Sequence, residues 1–182
     1  LDKHWLSQSA EILQNIKNSE SIFNIGKEIT VSKNDQRVLE MLAEFDGARW
    51  LFQGSINGKY DHIEYLPKSL PGKSPDFLAI RCDKKFAVEV KMLSPQNINE
   101  QKFISRIITK ANKDAIPQLE SFFDDNPFDA GLIFIWTHTQ IKLEKIKYRD
   151  IDKIMKQKIQ KPSFPLSIYM TVYAHGIWDF HF

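Results

Sequence analysis

Pro75-Asp76 and, a little further along, Glu89-Val90-Lys91 bring two carboxylates and an amine into one short stretch. Two acids that can share a divalent cation, beside a fixed positive charge, are suited to hydrolysing a phosphodiester. The cation polarises the scissile phosphate and lowers the pKa of a water, and the amine steadies charge that develops at phosphorus. Whether the three side chains converge depends on the elements that carry them.

The spacing predicts a β-hairpin, with strands over 76–81 and 85–93 and a turn around Asp83-Lys84. Alternation then puts Phe86, Val88, Val90 and Met92 on one face and Ala87, Glu89, Lys91 and Leu93 on the other. A turn centred between residues 83 and 84 sets Asp76 opposite Lys91 and Leu78 opposite Glu89. Asp76 and Glu89 become diagonal neighbours, with β-carbons about 7–8 Å apart. From there both can lean onto one Mg²⁺, whose oxygen ligands lie about 2.0–2.1 Å away. A turn one residue longer would send Asp76 to the wrong face. The competing reading makes Glu89 and Lys91 the wet side of a half-buried strand, and Ala87 and Leu93 on that side count against it.

The surrounding pattern is helix, strands, helix, strand, a mixed α/β layout with a central mixed sheet flanked by helices. Ile12, Leu13 and Ile16 suggest a short first helix. A stronger one starts near Asn34, where Ser32 and Asp35 have capping-box spacing, with Val38, Leu42 and Phe45 on one face and Gly47 as the stop. Residues 48–53 read as a strand leading to a hairpin turn at Asn57-Gly58, and Pro67, Pro71 and Gly72 mark a loop. Ser94-Pro95 has the form of an N-cap followed by a proline, opening a long helix to about Phe123 that is kinked or interrupted at Pro117. Its apolar side is Ile104, Ile108, Ala111 and Ala115, while Lys102, Arg106 and Lys110 recur every four residues. Residues 130–136 are an unbroken apolar run, as a buried strand requires. A basic helical segment and a last strand near 167–174 follow.

Pro75-Asp76 with Glu89-Val90-Lys91, on a strand and the strand after it, resembles the PD-(D/E)xK nucleases, the restriction-endonuclease-like superfamily. The likeness spans about residues 34–136, and its specific part is the hairpin. It implies that Asp76 and Glu89 bind Mg²⁺ or Mn²⁺, that Lys91 is the catalytic lysine, and that the substrate is DNA, less often RNA. It also implies a further acid from the helix before the sheet, for which Glu44 and then Glu40 are the candidates. A polar residue from the following helix is expected near the site, and Lys110, Lys113 and Gln118 are eligible. The ridge of Lys102, Arg106 and Lys110 would then grip phosphates without regard to sequence.

The bulk properties set outer bounds. With 182 residues, 42% hydrophobic and 26% charged, one nuclease domain is expected, its core at 34–136 and its basic segment and last strand at 137–182. No apolar run is long enough to cross a membrane, and one cysteine, Cys82, excludes an internal disulfide framework, which suits a reducing, cytoplasmic setting. The five histidines have no zinc-like spacing, and neither a phosphate-cradling Gly-rich loop nor a Gly-x-Ser-x-Gly elbow is present. Eight basic residues between 142 and 161 face only Glu144, Asp150 and Asp152, which makes either a phosphate-facing surface or a solvated helix face. Because the sequence starts at Leu1, a fragment of a longer protein is one expectation. That admits a secreted toxin or effector domain acting on DNA or tRNA, with a cognate inhibitor. A homodimer that cuts two strands, a catalytically inactive nucleic-acid-binding module in a larger assembly, and a protein-interaction domain complete the alternatives.

Overall fold

The hairpin holds the middle of a seven-stranded mixed sheet whose spatial order follows the chain. The computed structural model describes residues 16–17, 35–53, 60–66, 74–93, 100–137, 147–172 and 176–182. The elements are β1 (Ile16–Lys17), α1 (Asp35–Gln53), β2 (His62–Tyr65), β3 (Phe77–Arg81), β4 (Lys84–Leu93), α2 (Glu100–Lys110), a π-helical turn (Ala111–Ala115), α3 (Ile116–Asp125), β5 (Ala130–Thr137), α4 (Tyr148–Lys158), β6 (Leu166–Val172) and β7 (Gly176–His181). Strands β2, β3 and β4 form an antiparallel meander, β4, β5 and β6 run parallel, and the edge pairs are β1 with β2 (parallel) and β6 with β7 (antiparallel). The expected Ser32 cap, the Asn57-Gly58 turn, the Pro67–Gly72 loop, Ser94-Pro95 and the basic residues 142 and 145 lie outside the described residues.

Each face of the sheet has its own core. On one, α1 covers Val88, Val90, Leu132, Phe134 and Tyr169; on the other, α2, α3 and α4 cover Ala87, Leu93, Ile133, Ile135, Ile168 and Met170. The alternation expected along β4 is therefore realised, with even-numbered residues facing α1. β5 lies between parallel neighbours and is buried on both sides, which explains its unbroken apolar run.

Helix α1 departs from expectation at its end. It continues through Gly47 to Gln53, so residues 48–53 are helical and not a strand. Gly47 is a contact point: a β-carbon there would lie 2.6 Å from Val90 Cγ2, so the missing side chain lets the helix approach β4. The buried face is Met41, Glu44, Ala48 and Leu51, while Val38, Leu42 and Phe45 are half-buried. Trp50 then locks the second half of α1 onto the sheet, stacked 5.2 Å from Phe134 and 4.6 Å from Tyr169. Ile16, expected in a helix, pairs with Ile63 as part of β1.

The hairpin turn also differs. Cys82 and Asp83 have φ of 49° and 61°, so the turn is a two-residue one with both central residues left-handed, and Arg81 pairs with Lys84. Leu78 consequently faces Ala87, not Glu89. This displaces the expected register by two residues, an even number, and every side chain keeps its face.

Between α2 and α3 the helix widens instead of breaking. Pro117 has no N–H, and its ring would press on the carbonyl four residues back. The π turn lies immediately before it, and Ile116 N–H reaches back five residues to the Ala111 carbonyl. The buried residues Ile107, Ala111, Ala115 and Leu119 recur every four. In an ideal α-helix each such step overshoots by about 40°, and the wider turn takes up that drift. Asn112 in the π turn receives Gln160 N–H at 3.0 Å and donates to the Lys158 carbonyl at 2.8 Å, which satisfies the exposed end of α4.

Candidate functional site

Asp76 immediately precedes Phe77, and Glu89 immediately follows Val88, its partner, so the two acids are direct cross-strand neighbours at the mouth of the hairpin. Direct neighbours have β-carbons about 4.5–5.5 Å apart, closer than the diagonal arrangement expected from sequence. Both side chains are buried, at 0% and 1% exposure, which removes the reading of Glu89 as a solvated strand residue. Asp76 is held on three sides. Its N–H donates to the Val88 carbonyl at 3.0 Å, its carbonyl accepts from Leu66 N–H at 2.9 Å, and its Oδ2 accepts from Val90 N–H at 2.7 Å.

Around Glu89 the polar groups form a closed set. Lys91 Nζ donates to Glu89 Oε1 through a short hydrogen bond and to Gln118 Oε1 at 3.2 Å. Gln118 Nε2 donates to Glu89 Oε2 at 2.9 Å and to the Ser74 carbonyl at 2.6 Å. One amide from α3 therefore joins the catalytic candidates of β4 to the segment that leads into Asp76. Of the three eligible residues on the following helix, Gln118 is the one placed on the hairpin. Lys110 pairs with Asp114 at 2.8 Å, and Lys113 is exposed.

Glu44 stands on α1, over the other face of the sheet, and meets Lys91 in the lining of one cavity but does not join Asp76 and Glu89 there. It is 8% exposed on α1 and accepts a hydrogen bond from Tyr65 Oη at 3.0 Å. A cavity of about 480 Å³ opens over the C-terminal end of β4, between α1 and α2. Gln36, Glu40 and Glu44 form its α1 wall, Lys91 its floor, and Arg106 and Lys110 its α2 wall, continued by Asp114 in the π turn; the buried Asp76 and Glu89 are not among its lining residues. Lys102 is exposed further along α2 and is not part of the lining. Tyr65 and Ser74 were not singled out in the sequence. Tyr65 is legible only through the short alternation His62-Ile63-Glu64-Tyr65, and Ser74 acts through its backbone, which no residue type reveals.

The donor set is oxygen alone, which suits a hard cation, and Mg²⁺ commonly takes one or two carboxylates and completes its shell with water and phosphate. Asp76 and Glu89 fit that requirement. Among the described residues there is no group of three or more His, Cys, Asp or Glu able to hold a metal ion. No described helix is long and apolar enough to cross a membrane.

Tyr148, at the start of α4, has a displaced titration. Burial first, then the charges of Asp179 and Asp152, push its hydroxyl above the usual tyrosine range. It lies away from the cavity lining, stacked 5.4 Å from Phe180. Comparison with known proteins adds no relative: no protein-family model, curated protein or solved structure matches this chain.

Proposed function

We propose that the chain is a metal-dependent nuclease that hydrolyses phosphodiester bonds in DNA, with a restriction-endonuclease-like core. The observation that carries this reading is the buried pair Asp76 and Glu89, bound to Lys91 and Gln118 at the mouth of one hairpin. Burying two neighbouring carboxylates in an apolar sheet is costly unless a cation compensates. The element order supports the same reading: helix α1, a three-strand antiparallel meander, a helix, then a strand parallel to β4.

Asp76 and Glu89 would hold Mg²⁺ or Mn²⁺, which would polarise the scissile phosphate. The chain's own groups do the rest. Lys91 carries three donors, of which Glu89 and Gln118 engage two, and it lines the cavity where a phosphate oxygen or attacking water would sit. Gln118 fixes the Lys91 amine and the Glu89 carboxylate relative to each other, so neither must reorganise as charge develops. Arg106 and Lys110 receive the flanking phosphate, and Glu44 closes the opposite wall.

Supercoiled plasmid incubated with the purified chain, with and without Mg²⁺ or Mn²⁺, tests this directly. The expected result is metal-dependent nicking or linearisation that Glu89→Ala abolishes; cleavage indifferent to Glu89→Ala would sink the assignment. A second reading, a catalytically inactive module that binds nucleic acid, is favoured by one observation: both carboxylate oxygens of Glu89 already have protein partners. It predicts salt-sensitive binding unaffected by chelator and no cleavage of DNA or RNA.

A further inference from the structure

Resting on the nuclease reading, we propose that this site takes a single unpaired strand, as at a free end, flap or gap, and rejects intact duplex. The cavity's two walls differ in net charge. Glu40 and Glu44 stand on α1; Arg106 and Lys110 stand on α2, followed by Asp114, which pairs with Lys110 at 2.8 Å, so that side keeps one net positive charge, with Lys91 between the two. A phosphodiester chain crossing Lys91 must lie against the α2 wall. Lys102, Arg106 and Lys110 extend that wall as one row, at intervals of about 6 Å along the helix axis.

One row of cations follows one strand. A duplex entering the same cavity would carry its second line of phosphates towards Glu40, and juxtaposed like charges discriminate strongly against the wrong partner. Size points the same way. A cavity of about 480 Å³ is of the scale that holds one nucleotide. An unpaired base would present its hydrogen-bonding edge to the α1 wall, where Gln36 donates to Glu40 at 3.1 Å.

The test compares one labelled DNA oligonucleotide alone and annealed to its complement. Cleavage is followed with Mn²⁺, and binding is followed by fluorescence anisotropy in chelator. Single strand should be cut and bound at least about ten-fold better than duplex, and Arg106→Ala should lower single-strand binding by about ten-fold. Glu40→Lys should narrow the preference by improving duplex binding. Equal or better cleavage of duplex overturns the inference and leaves the nuclease intact. If neither form is cut, the nuclease reading falls and the anisotropy decides: a single-strand preference abolished by Arg106→Ala supports the inference, and no preference overturns it.

Discussion

Gln118 uses both ends of its amide, and this fixes which way round it lies. The nitrogen faces two acceptors, Glu89 Oε2 and the Ser74 carbonyl, and the oxygen faces the Lys91 ammonium. Reversed, it would set donor against donor. Gln118→Leu is therefore expected to lower kcat by about ten- to a hundred-fold, as lost positioning does, with KM little changed; steady-state cleavage of an oligonucleotide measures it. The two acids should separate in their effects. Asp76→Ala strands the buried Val90 N–H and is expected to cost about 1–3 kcal/mol of stability as well as activity. Glu89→Gln turns an amide NH2 towards a donor, Lys91 Nζ or Gln118 Nε2, so activity should vanish with a loss of stability that Lys91→Met in the same chain reduces. Melting curves beside cleavage assays distinguish the two cases. The convergence of Asp76, Glu89 and Lys91 on one face was legible because strand alternation has a fixed period of two, which survives an error in register. Gln118 was indistinguishable from Lys110 and Lys113 in sequence, because the phase of α3 depends on a π turn that no residue pattern announces.

The secondary elements explain which expectations failed. Gly47 in a helical pattern has two readings, a stop or a close packing contact, and only the neighbouring strand decides between them. Gly47→Ala should destabilise by about 1–3 kcal/mol through overpacking against Val90, despite alanine's better helix propensity. The same change should also disturb Glu44, less than one turn away; chemical denaturation and cleavage rate would both register it. The turn is the opposite case. Cys82 and Asp83 hold left-handed backbone that costs non-glycine residues, so Cys82→Asn with Asp83→Gly is expected to stabilise by about 1 kcal/mol. Activity should be unaffected, since the turn lies at the far end of the hairpin from Asp76 and Glu89. The buried strand β5 was legible from its apolar run. The two-residue β1, the four-residue β2 and the edge strand β7 were not, because each borrows its stability from a neighbour.

At the scale of the whole molecule, charge and order along the chain are the useful quantities. If one strand follows Lys102, Arg106 and Lys110, log affinity against log salt should fall with a slope of about −2, and Lys102→Ala should reduce its magnitude by about 0.7. A slope nearer zero would detach α2 from binding. Tyr148 sets an alkaline limit. Its folded pKa is raised, so its contribution to stability is complete below the unfolded value and is lost as pH rises through the folded one. Tyr148→Phe should therefore flatten the loss of stability above about pH 10, as melting temperatures across alkaline buffers would show. The mixed α/β class was evident from the alternation of periods along the sequence. The C-terminal segment shows both sides of a helix: its charge was read as a phosphate-facing or solvated face, and its apolar residues Ile151, Met155 and Ile159 complete, with Phe180, the core on one face of the sheet. Finally, the strands lie side by side in the order in which they are written. A chain leaving the ribosome can thus add each strand to a growing edge, with no earlier pair having to part to admit a later one. The proposed catalytic residues are all delivered before β6 and β7 exist. Synthesis itself would assemble the hairpin early and seal the sheet last.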